Sequence, residues 1–187
     1  MKRLDQAVLI ISLIALSWLA MQAVHELGHV LGAWVTGARV TGVVLDPLTI
    51  SRTDVADNTR PTVVVWAGPI VGAGLPLVMF LLAKLFRAAG VYLLRFFAGF
   101  CLIANGAYIA FGPGDGWADT GVMIRHGSPR AVMVLFGLVT IPLGLYLWHG
   151  QGSHFGLGEA KGKVDRRAAW VCAMLLVVLV VMEWVAC

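Results

Sequence analysis

The sequence predicts an all-α polytopic membrane protein with about five transmembrane helices and a short β-like segment at the membrane surface after the first. Three observations carry this expectation. Of 187 residues, 59% are hydrophobic and only 13% charged, whereas an ordinary soluble domain is roughly 45–50% apolar and about 25% charged. The apolar residues fall into separate runs, each near the roughly 20 residues needed to cross the hydrocarbon core. The stretch between the first two runs is instead polar and β-branched: Arg39-Val-Thr-Gly-Val-Val-Leu-Asp46, then Ser51-Arg-Thr-Asp-Val-Ala-Asp57. Short strands or a hairpin fit that pattern better than a helix.

The first run extends from about Ala7 to Thr36, longer than a perpendicular span requires, so it must tilt, bend or emerge at one end. Lys2 and Arg3 precede it as in a signal peptide. Its apolar part is nevertheless longer than the ~7–15 residues of a signal core, and no small-x-small cleavage site follows, so it reads as a retained span. The second span runs from about Val63 to Phe86, with Gly68-Pro69 near its start and Gly72, Gly74 and Pro76 following. Small residues permit close helix approach, and helix breakers in lipid need neighbouring protein to satisfy the backbone.

A third span covers about Val91 to Phe111 and ends in Gly112-Pro-Gly-Asp-Gly-Trp-Ala-Asp119, where Gly and Pro mark a helix terminus and loop. A fourth follows from Ala131 to Trp148, then a Gly-rich basic loop from His149 to Arg167, then a fifth from Ala168 to the C-terminus. The whole chain, 1–187, reads as one membrane-embedded domain with a core over 7–120 and additional spans at 131–148 and 168–187. The lipid bilayer is therefore the expected surrounding. The net charge of +4 is spread over several loops, which gives nucleic acid binding no support. Cys101 and Cys172 lie in apolar runs and Cys187 is the last residue, so neither a disulfide framework nor a Cys-x-x-Cys metal site is indicated.

The chemistry concentrates in His25-Glu26-Leu27-Gly28-His29. Two imidazoles four residues apart share one helix face and can reach one metal ion. Glu26, the next residue after His25, sits where it can take a proton from water bound to that metal. Ionisable groups within membrane spans are costly and rarely kept without a partner or a function. Three in five residues, in metal-ligand order, therefore predict a zinc site and not chance packing.

A catalytic zinc takes three protein ligands plus water, so the third must come from elsewhere. Asp115, Asp119, His126, His149, His154, Glu159 and Glu183 are the choices. The two aspartates are best placed, because irregular backbone at the end of a span can fold into a protein-lined cavity.

These residues resemble the site-2 proteases, membrane-embedded zinc metalloproteases, in a small form without extra soluble domains. The resemblance rests on His25-Glu-Leu-Gly-His29 in a span, the β-like segment after it, Ala67-Gly-Pro69 at the next span, and Asn105 followed by Pro113-Gly-Asp115-Gly116. It covers roughly Ala7 to Thr120. In that family a distal Asp-Gly pair supplies the third ligand, which implies Asp115 here, with Asp119 as the alternative. An upstream Asn there holds substrate or the developing oxyanion, a role that the resemblance gives to Asn105. This chain departs from the family pattern in having Gly114 before the aspartate in place of Leu, and no Pro three residues after Asn105.

The expected function is therefore hydrolysis of a peptide bond in or near a transmembrane segment of a substrate protein, by one zinc per chain with its bound water activated by Glu26. The alternative is a zinc-binding membrane chaperone or interaction subunit that cuts nothing. Loop charges put the N-terminus and the loop from Lys161 to Arg167 on the cytoplasmic side. The family resemblance implies the reverse orientation.

Overall fold

The computed structural model describes residues 2–114, 116 and 118–186. Among them, five helices are long and apolar enough to cross a membrane: α1 (Lys2–Thr36), α2 (Pro61–Leu85), α3 (Val91–Phe111), α5 (Arg130–Trp148) and α6 (Arg166–Ala186). A short helix, α4 (Asp119–Arg125), lies between α3 and α5. Strands β1 (Arg39–Val44) and β2 (Arg52–Ala56) follow α1 as expected. They pair antiparallel from Arg39 opposite Ala56 to Val44 opposite Arg52, with an irregularity between Val40 and Gly42.

α1 has 35 residues, about 52 Å at 1.5 Å per residue, against a hydrocarbon core of about 30 Å. It stops where Gly37 takes a left-handed backbone (φ 73°) and Ala38 returns its N–H to the Ala33 carbonyl at 2.9 Å. The β-branched segment then takes over. α2 starts with Pro61 at its first position, where a missing N–H costs nothing.

α1 packs against both α2 and α6, α2 packs against α3, and α3 against α5. The α1–α2 contact is made by Gly28 and Gly32, four residues apart on one face of α1. A methyl group at Gly28 would overlap the Ala67 carbonyl and come within 2.7 Å of the Gly68 Cα, so the two backbones touch. At the opposite end Leu9 and Leu13 pack with Phe155, Ala169 and Cys172, which ties α6 and its preceding loop to α1. Val65, Ile109, Met123 and Met133 form another buried cluster, which seats α4 against α2, α3 and α5. That cluster brings the N-terminus of α4 to the C-terminal half of α1.

Candidate metal centre

His25 and His29 lie one helical turn apart and are both buried, each 7% exposed. Each ring is held by its Nδ1. His25 Nδ1 is 2.7 Å from Asn105 Oδ1, while Asn105 Nδ2 donates to the Cys101 carbonyl at 2.9 Å. A carbonyl only accepts, so the amide group must face Cys101 and the amide oxygen must face His25. His25 therefore donates its Nδ1–H. His29 Nδ1 likewise donates to the Val64 carbonyl at 2.9 Å.

Both Nε2 atoms are left with lone pairs, and they point at each other across 3.1 Å. Asp119 Oδ2 stands 2.8 Å from the first and 3.3 Å from the second. Three acceptors so placed repel one another unless a cation, a proton or a metal ion, lies among them. Ligand atoms about 2.0–2.1 Å from one tetrahedral ion are about 3.3 Å apart, close to these spacings. The second helix leaves room there. A methyl group at Gly68 would sit 2.5 Å from His29 Nε2 and 2.9 Å from His25 Nε2, beside both ring nitrogens. Among the described residues His25, His29 and Asp119 thus form a group able to hold a metal ion.

Asp119 is the first residue of α4 and its backbone N–H donates to the Tyr108 hydroxyl at 3.1 Å. The Tyr108 ring packs edge-on to His25 with centroids 6.0 Å apart. Thr120 donates to the Pro113 carbonyl, and Arg125 to the Gly116 carbonyl at 2.6 Å, so the loop before α4 is anchored by α4 itself.

Glu26 is 4% exposed. Its Oε1 accepts from Ser51 Oγ at 2.9 Å and its Oε2 from Thr53 Oγ1 at 2.7 Å. The general-base candidate is thus beside the two histidines but held from the β-hairpin.

The structure brings together five of the residues marked by the sequence: His25, Glu26, His29, Asn105 and Asp119. Asn105 meets His25 directly. Asp115, the third ligand implied by the family motif, lies outside the described residues. Among the described residues Asp119, the alternative to it, is the carboxylate at the histidines. His126, His149 and Glu159 are exposed, His154 stacks on Tyr92 at 4.6 Å, and Glu183 is buried in α6 apart from the cluster. Tyr108, Ser51 and Thr53 carried no signal in the sequence beyond residue type, and Gly68 was marked there only as part of Ala67-Gly-Pro69.

No curated protein and no solved structure matches the chain. The Peptidase M50B-like family matches it over residues 6–109, more than half of the 187. That stretch holds the His-Glu motif, the hairpin, Gly68 and Asn105, and the chain belongs to this peptidase family.

Proposed function

We propose that the chain is an intramembrane zinc metalloprotease, hydrolysing a peptide bond in or near a transmembrane segment of a substrate protein. The observation that carries this reading is the convergence of His25, His29 and Asp119 beside Glu26, on helices long and apolar enough to cross a membrane. His25, His29 and Asp119 would hold the zinc, since three protein ligands make a catalytic set and four a structural one. When bound, zinc lowers the pKa of water to about 7 and polarises a carbonyl.

Glu26 is the general base. It takes a proton from the attacking water at a carboxylate oxygen and returns it to the leaving amine. Asn105 works through His25, fixing the tautomer that leaves Nε2 free. A helix in lipid has its backbone groups bonded internally, so the substrate must unwind before attack. Among the described residues β1 is paired on one side only, and its other edge offers the opened segment a strand to join.

The test is Glu26→Gln, which preserves size and removes the base. Zinc should stay bound, since Glu26 is not a ligand. Cleavage of a co-reconstituted single-span substrate should fall about 10²- to 10⁴-fold. Full rescue of cellular function by this variant, with zinc bound, would overturn the protease reading in favour of a non-catalytic interaction subunit.

A further inference from the structure

The end of the β1–β2 connection docks on α1. The Ser51 backbone N–H donates to Gln22 Oε1 at 2.9 Å, and the Ser51 hydroxyl donates to Glu26 Oε1 at 2.9 Å. Thr53 Oγ1 donates to Glu26 Oε2 at 2.7 Å. Gln22 and Glu26 are one turn apart on the same face of α1, and Ser51 and Thr53 are alternate residues of an extended segment. The two elements therefore meet in register. Arg52 and Asp54, the intervening and following residues, are exposed.

A hairpin at a membrane surface would ordinarily turn its hydroxyls to water. Here both turn to the helix, and each engages a different oxygen of one carboxylate that is 4% exposed. A buried carboxylate without such donors would carry a large desolvation cost. Each oxygen has two lone pairs, so one hydroxyl bond leaves it able to accept a proton from water. A glutamate side chain with free torsions would also swing through several rotamers. Two short bonds from one strand restrict it to one.

We propose that Ser51 and Thr53 are positioning residues for Glu26, so that the hairpin carries both the edge that takes the substrate and the clamp on the base. This rests on the reading of Glu26 as general base. Substrate docking on β1 and proton transfer at Glu26 then belong to one mechanical unit. A hairpin displaced from α1 would carry the base out of line.

The experiment compares Ser51→Ala, Thr53→Val, the double variant and Thr53→Ser, each purified with zinc in bilayers. Two readouts are taken. One is kcat and KM on a single-span reporter segment. The other is the infrared carboxylate band of Glu26, isolated in ¹³C-glutamate-labelled protein by subtracting the Glu26→Gln spectrum. The double variant should keep its zinc and KM, lose kcat by up to about 10²-fold, and show a shifted Glu26 band. The single removals should fall between, and Thr53→Ser, which retains a hydroxyl, should match the wild type in both readouts. Unchanged kcat with an unshifted band overturns the proposal. So does loss of zinc or a raised KM with kcat intact, since the contacts would then serve the fold or the substrate. If wild type and Glu26→Gln cleave the reporter equally, the protease reading fails, and the infrared band alone still decides whether the hydroxyls hold Glu26.

Discussion

Asn105 on α3 and His25 on α1 share a 2.7 Å hydrogen bond although they are 80 residues apart and α2 packs against both helices. The bond passes α2 at Gly72, where a methyl group would come within 2.7 Å of Asn105 Oδ1. The absence of a side chain at one position of the middle helix is what lets the third helix orient a ligand on the first. Asn105 is 1% exposed, and its amide is turned to His25 at one end and to the Cys101 carbonyl at the other.

Asn105→Ala should therefore act on metal binding. Partners that orient a ligating histidine are typically worth about 10- to 100-fold in metal affinity. Competition titration with a chromophoric chelator should show zinc affinity lowered by that order. Unchanged affinity with reduced turnover would instead return Asn105 to the substrate-holding role implied by the family resemblance.

Asp119→Ala should release zinc, because it removes the carboxylate 2.8 Å from His25 Nε2 and 3.3 Å from His29 Nε2. Asp115→Ala should retain it. Metal analysis of the two purified variants decides between them. Zinc lost only from the Asp115 variant would reinstate the motif-based assignment and leave Asp119 as a hydrogen-bond partner.

The helices and the His-Glu motif were legible because each is written in local spacing. Apolar runs of span length gave α1, α2, α3, α5 and α6 nearly to their ends, and four-residue spacing put His25 and His29 on one face. Local spacing says nothing about whether Asp119, in a Gly- and Pro-rich turn, comes to those histidines. That depends on where α4 starts, and α4 is fixed by buried contacts of Met123 with Val65, Ile109 and Met133 from three other helices. Ser51 and Thr53 were illegible for a similar reason. Hydroxyls in a polar hairpin look alike in sequence, and only the docking of β2 on α1 separates those that meet Glu26 from those that meet water.

Gly68 tests whether the space beside the two histidine Nε2 atoms is a metal site. Helical glycine is ordinarily improved by alanine, by roughly 0.5–1 kcal/mol, because alanine loses less backbone freedom on folding. At Gly68 the added methyl would stand 2.5 Å from His29 Nε2 and 2.9 Å from His25 Nε2, closer than a carbon can approach nitrogen without displacement. The rings can yield only by breaking their Nδ1 bonds to Val64 and Asn105, or α2 can yield only by parting from Gly28, whose own Cβ position is already filled by the Ala67 carbonyl. Gly74, on the same helix, has open space at its Cβ position and serves as the control. Gly74→Ala should leave zinc content and activity unchanged. Gly68→Ala should lose zinc and activity together while circular dichroism shows its helices retained, and a variant that kept full zinc would show that the metal does not sit between His25, His29 and this glycine.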